Sequence, residues 1–290
     1  MSLLALYHSQ HPQTCQEFNL VLQAVDIDSN VVDYEGQYYL LVDDQVAEAA
    51  YAQLRLYVGE NAPEKTITRP LISFKKGYIG AYLYGVILLL FGALQSTYAF
   101  GFNWFQSGLA HSEKILNGEW WRAVTALSLH ADIGHMAGNI GLGALFGLFV
   151  AQYIGSGGAW LSILLSGALG NAINAYWHQG LHQSIGASTM VFGALGMLGV
   201  FALNARYAYA QRGIRRWLPF LSTFALLAFL GTAGERTDIY AHLSGYLSGC
   251  LIGVIWLSLK RSEHLMPPTQ MKFGALSLII IFAAWGFALF

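Results

Sequence analysis

Two kinds of patterning divide the 290-residue chain. Over residues 1–60 the apolar positions come in short runs. Leu3–Tyr7 reads as a strand, and Gln16–Val25 places Phe18, Leu20, Val21, Leu22 and Val25 on a helix-like stripe. Asn30–Tyr34 and Gln37–Val42 read as strands joined at Glu35-Gly36, a hairpin signal. Gln45–Val58 repeats alanine at helical spacing, with Leu54 and Tyr57 on the same side. The order β-α-β-β-α predicts a small α+β unit. From residue 77 onward the runs lengthen, and seven stretches are candidate membrane spans: 77–99, 133–153, 158–177, 185–204, 217–234, 239–259 and 273–290. Each approaches the ~20 residues that cross one bilayer. The segment 100–132 mixes Phe102, Trp104, Phe105, Trp120 and Trp121 with charges. It is expected either as an interfacial anchoring loop or as a structured element half sunk in the outer leaflet.

Composition turns this pattern into a class. Only 11% of residues are charged and 55% are hydrophobic, against about 25% charged in an average soluble domain. Residues 1–76 hold 15 of the 31 charges, and residues 133–205 hold none. The expected fold is therefore a polytopic α-helical membrane protein with a small α+β N-terminal domain. The domains are expected at 1–60, 61–76 (a linker with Pro63 and Pro70), 77–260 (six spans) and 261–290 (a loop and a seventh span). Cys15 and Cys250 do not make a disulfide framework. The N-terminus lacks the basic region of a signal peptide. No basic patch suits nucleic acid.

Charge placement also predicts sidedness. Lys65, Arg69, Lys75 and Lys76 precede the first span, Arg206, Arg212, Arg215 and Arg216 follow the fourth, and Lys260, Arg261 and Lys272 follow the sixth. With seven alternating spans these share one side, which the positive-inside rule makes cytoplasmic. The N-terminal domain is then cytoplasmic too.

Polar residues inside apolar spans are the candidates for chemistry. His135 and Asn139 lie one turn apart on one helix face. Ser188 opens the fourth span after Gly186-Ala187, and His242 opens the sixth. Each has a plainer reading, as interhelical polar packing for His135 and Asn139, helix packing for Ser188 and a satisfied core histidine for His242. Gly245-xxx-Gly249-xxx-Gly253 on the sixth span, with Gly186, Gly193 and Gly196 on the fourth, lets two helices approach closely. The set then fits nucleophilic catalysis. Ser188 is the nucleophile and His242 its base. Asn139, His135 and the Ser188 N–H are the candidate oxyanion donors. Under the predicted topology all these motifs begin on the non-cytoplasmic side. Gly231–Asp238 is a candidate mobile cap or a plain connecting loop.

Over roughly residues 77–260 the sequence resembles a rhomboid intramembrane serine protease of the GlpG type, with an extra C-terminal span. The resemblance rests on Glu119-Trp120-Trp121-Arg122, on His130 followed by His135-xxx-Asn139, on Gly186-x-Ser188 and on Ala241-His242-xx-Gly245. It implies a rhomboid-like six-helix core, a Ser188–His242 dyad without a catalytic aspartate, and an oxyanion hole from Asn139, His135 and the Ser188 N–H. It further implies that Trp121-Arg122 supports the first loop, that His130 makes a structural hydrogen bond, and that Gly186, Gly245 and Gly249 serve the packing. The substrates implied are transmembrane proteins cleaved in or beside their helices, with membrane lipid as surroundings, no metal or other cofactor, and a bacterial inner membrane as location. Thr189, Phe192 and Gln152 stand where the family commonly has Gly, often Tyr and often Glu. The competing functions are a catalytically inactive rhomboid-like protein that binds membrane helices, favoured by Thr189, and an unrelated carrier or channel.

Overall fold

A computed structural model describes residues 3–61, 77–208, 213–232, 237–259 and 267–290. The chain divides into two compact units, Met1–Pro70 and Leu71–Phe290. The expected linker lies outside the described residues from position 62 onward.

The first unit runs β1 (Leu3–Ser9), α1 (Pro12–Gln23), β2 (Ser29–Tyr34), β3 (Gln37–Asp43) and α2 (Ala47–Glu60). Its antiparallel sheet has the order β1-β3-β2. Glu35 (φ 51°) and Gly36 (φ 78°) form the two-residue hairpin turn, and positive φ at both positions matches the twist of the flanking strands. The helix expected at 16–25 begins earlier, because Pro12 has its fixed φ and missing N–H at the one place in a helix that tolerates both. Cys15, Leu22, Leu40, Val42, Ala50 and Leu54 are buried and form the small core.

The second unit is built on seven helices. These are α3 (Tyr78–Thr97), then, after shorter elements, α7 (Ile133–Ile154), α8 (Ser156–His178), α9 (Ser188–Ala208), α10 (Leu218–Gly231), α11 (Ile239–Ser258) and α12 (Pro267–Leu289). Five of them, α3, α7, α9, α11 and α12, are long and apolar enough to cross a membrane. The other two expected spans depart from that pattern for different reasons. α8 has the length but buries Ser162, Ser166, Asn171 and Asn174 against its neighbours. α10 has the apolarity but only 14 residues, about 21 Å of helix at 1.5 Å per residue against a core of about 30 Å.

The segment before α7 is a structured element. It folds into α4 (Trp104–Gly108), α5 (Ser112–Leu116), α6 (Arg122–Thr125) and a two-stranded ribbon of β4 (Ala110–His111) with β5 (Gln183–Ser184). Irregular backbone here is buried in protein, with Trp104, Leu109, Leu127 and Leu129 in the core. Arg122 holds it together. Its Nε bonds Glu119 Oε2 at 2.5 Å, and its Nη1 donates to the carbonyls of Gln106 (3.0 Å) and Leu109 (3.1 Å). Trp121 stacks on Phe287 of α12, with ring centroids 5.8 Å apart. Trp285 of α12 stacks on Phe91 and donates through Nε1 to Ser128 Oγ at 3.0 Å. The seventh helix thus clasps this segment at one end. At the other, Gln270 bonds the Ile154 carbonyl and the Gly158 N–H at the α7–α8 turn.

Candidate active site

The site forms where α7, α9 and α11 begin. Gly245 and Gly249 bring the last two together. A Cβ on Gly245 would overlap the Thr189 carbonyl, and one on Gly249 would overlap the Gly193 carbonyl. Backbone meets backbone, which glycine permits and alanine does not. Ser188, the first residue of α9, then meets His242 in the first turn of α11. His242 Nε2 lies 2.9 Å from Ser188 Oγ.

The other imidazole nitrogen settles the tautomer. His242 Nδ1 lies 2.9 Å from the carbonyl of Gly231, the last residue of α10. A carbonyl only accepts, so Nδ1 carries the proton and Nε2 of the neutral ring is left as an acceptor for the serine hydroxyl. Phe192, one turn after Ser188, packs against the His242 ring at 4.5 Å between centroids. His242 itself is buried, at 7% exposure.

Gly186 sets the approach to Ser188. Its φ is +119°, and a Cβ there would lie 2.8 Å from His135 Cε1 and 2.9 Å from His135 Nε2. Both facts require glycine. The same geometry puts the His135 ring beside the turn that carries Ser188. Asp132 caps α7, accepting the His135 N–H at 2.7 Å. One turn further, Asn139 is buried and its Nδ2 has no hydrogen-bond partner among the described residues. Its backbone carbonyl accepts the Tyr84 hydroxyl at 2.7 Å.

His130 is buried behind this turn. Its Nε2 faces the Ala187 N–H at 3.5 Å, and Gln95 brackets its peptide by bonding both the His130 N–H and carbonyl. Burial, reinforced by His135, pushes its imidazole down to about 4. It is therefore neutral at neutral pH, as a ring accepting an N–H must be.

A family model described as the Rhomboid domain matches residues 117–259, the stretch that contains His130, His135, Asn139, Gly186, Ser188 and His242. The protein belongs to the rhomboid family. Among its relatives, the rhomboid-named YdcA of Bacillus subtilis (strain 168) is 26% identical over 162 residues, 56% of this chain and 79% of that protein. RHOMBOID-like protein 6, mitochondrial, of Arabidopsis thaliana is 27% identical over 181 residues, 59% of this chain and 58% of that one. Rhomboid protease GluP of Bacillus subtilis (strain 168) is 29% identical over 147 residues, 49% of this chain but only 27% of GluP. The family thus includes named proteases, and the chain is an integral membrane protein of that family.

Thr189 is buried. Its Cγ2 points into the helix interface, filling the space beside Gly170 of α8 and Gly245 of α11. Four groups at the site were not singled out from the sequence: the Gly231 carbonyl, Asp238, His182 and Asn174. Of these only Asp238 carries a sequence signal, an Asp immediately before an apolar helix. Residues 233–236, half of the expected cap, lie outside the described residues.

Proposed function

We propose that this rhomboid-family protein is a serine endopeptidase that hydrolyses peptide bonds in or beside the transmembrane helices of other membrane proteins. The reading rests on one observation: Ser188 Oγ lies 2.9 Å from a His242 Nε2 that the Gly231 carbonyl keeps unprotonated.

Chemistry follows from that pair. Ser188 Oγ attacks the substrate carbonyl carbon while His242 Nε2 takes the hydroxyl proton. The resulting imidazolium keeps its Nδ1–H on the Gly231 carbonyl, where a catalytic carboxylate stands in other serine proteases. The oxyanion needs donors that are not already committed. The buried, unpartnered Nδ2 of Asn139 suits this, as do the His135 ring and the Ser188 N–H in the first turn of α9, where no preceding turn of helix offers it a carbonyl. Collapse of the tetrahedral intermediate expels the amine, which receives the proton from His242 and leaves an acyl-Ser188. Water, deprotonated by His242, then releases the acid. A substrate helix has to unwind locally first, because its carbonyls are tied in internal hydrogen bonds. By the positive-inside rule we expect this site on the extracytoplasmic side and the N-terminus on the cytoplasmic side, with a bacterial inner membrane as the location that the family resemblance implies.

Reaction with a serine-directed fluorophosphonate tests the reading. The wild type is expected to label, and Ser188→Ala and His242→Ala are not. A folded wild type that stays unlabelled and cleaves no helical substrate overturns it.

A further inference from the structure

One polar cluster beside the dyad has no part in the chemistry above. Asp238 caps α11, its Oδ1 accepting the Ala241 N–H at 3.0 Å. Its Oδ2 accepts two more donors, Asn174 Nδ2 from the last turns of α8 and His182 Nε2 from the segment between α8 and α9, each at 2.8 Å. A carboxylate only accepts, so His182 Nε2 carries a proton. His182 is itself held. Its ring stacks on that of His178 at 3.9 Å between centroids, and its backbone carbonyl accepts the Ser112 N–H at 3.0 Å. His178 Nδ1 in turn donates to the Asn174 carbonyl at 3.2 Å.

The positions of these residues along the chain give the cluster its meaning. His182 stands six residues before Ser188, and Asp238 stands four before His242. The bond between them joins the two segments that deliver the nucleophile and the base. Capping a helix takes one oxygen and one N–H. Here the second oxygen is spent across the site, on a partly buried contact where both side chains are less than a third exposed.

Resting on the protease reading, we propose that Asp238 is a positioning residue for the dyad, clamping the first turn of α11 to the Ser188 approach through His182 and Asn174. It acts through His242 and touches no reacting atom. Burial pushes its carboxyl up, but the Ala241 N–H, His182 and Asn174 together hold it below the ordinary carboxylate range, so Asp238 is a carboxylate at neutral pH. The clamp fixes the separation of Ser188 and His242, and an error of about 1 Å in such a separation costs up to about 100-fold in rate.

The cap and the clamp are separable by mutation. Asp238→Ser keeps an N-capping oxygen and loses the reach to His182 and Asn174. In purified full-length protein, kcat and KM for a helical substrate and the rate of fluorophosphonate labelling are measured per folded molecule, alongside Tm. Asp238→Ser and His182→Ala are expected to lower kcat and labelling by about 10- to 100-fold with KM changed less than about twofold. His182→Gln, which retains a side-chain N–H donor, is expected to recover most of the loss. Wild-type kcat in folded Asp238→Ser and His182→Ala, or a His182→Gln no better than His182→Ala, overturns the clamp while leaving the protease reading intact. A folded wild type that neither labels nor cleaves overturns both.

Discussion

His242 Nδ1 donates to the carbonyl of Gly231 at 2.9 Å, so the C-terminal residue of α10 orients the ring that faces Ser188. The base is correctly poised only while the end of α10 is seated. A Cβ on Gly231 would lie 3.4 Å from His242 Nδ1, 3.4 Å from Phe192 Cζ and 3.3 Å from Leu227 Cδ1. Alanine nearly fits there, but a branched side chain does not. Gly231→Val is therefore expected to lift the carbonyl off the ring and slow fluorophosphonate labelling by roughly tenfold or more, in line with general-base contributions. Gly231→Ala is expected to lose much less. Labelling time courses of the two variants check this order.

Asn139 allows activity and stability to be separated. Its Nδ2 is buried with no partner among the described residues, so Asn139→Ala breaks no hydrogen bond of that group in the resting protein. Removing an unsatisfied buried donor is close to neutral for folding. If the donor serves the oxyanion, its loss costs roughly 2.7–4 kcal/mol of transition-state stabilisation, or about 100- to 1,000-fold in kcat. Steady-state kinetics and a melting curve on one preparation test both halves.

The α9–α11 contact is expected to control the dyad from a distance. Gly249 lies about two turns beyond His242, and a Cβ there would overlap the Gly193 carbonyl. Neither residue touches Ser188 or His242 in any hydrogen bond. Gly249→Ala is expected to force the helices apart and destabilise the protein by about 1–3 kcal/mol, the usual cost of overpacking. It is also expected to lower kcat, whereas Gly286→Ala, at a position open within 4 Å, leaves both unchanged. Paired melting and cleavage measurements check the contrast.

Acid sensitivity has a defined sign and window. His130 is held neutral in the fold, its pKa pushed from 6.5 down to about 4 by burial and by His135, against smaller opposing pulls from the Ser128 backbone and from Asp132. Below pH 6.5 the unfolded chain takes a proton that the folded one refuses. Stability is therefore fully present above 6.5 and is lost as pH falls through about 4, by roughly 3 kcal/mol for a shift of this size. Asp238 is depressed too, so its contribution is lost only at still lower pH, as pH falls through its lowered value. His130→Gln is expected to flatten the dependence of Tm on pH between 6.5 and 4. An unchanged slope in that variant contradicts the assignment.

The sequence carried much of this arrangement because its signals are local. The absence of charge over residues 133–205 marks apolar helices, and glycine at four-residue spacing on α11 marks a close helix contact whichever partner it has. Ser188 and His242 were legible because polar side chains are costly in such helices. The hidden parts belong to other kinds of interaction. The Gly231 carbonyl is a backbone acceptor, and no side chain advertises it. Asn174, His182 and Asp238 come from separate segments and become a cluster only when α8 and α11 pack together. Thr189 stands where the family commonly has Gly, and only the fold shows its Cγ2 packed beside Gly170 and Gly245. Segment 100–132 reads as interfacial by its tryptophans, yet Trp104 and Trp121 face α12, a partner more than 150 residues away.

The central claim is that Ser188, activated by His242, cuts peptide bonds within or beside a membrane helix. The most direct measurement reconstitutes the full-length protein in liposomes with single-span helical substrates and maps the products by mass spectrometry. The expected result is a cut in or next to the substrate span by the wild type and none by Ser188→Ala or His242→Ala. Cleavage that persists in folded Ser188→Ala, or its absence from folded wild type across a broad substrate panel, contradicts the claim.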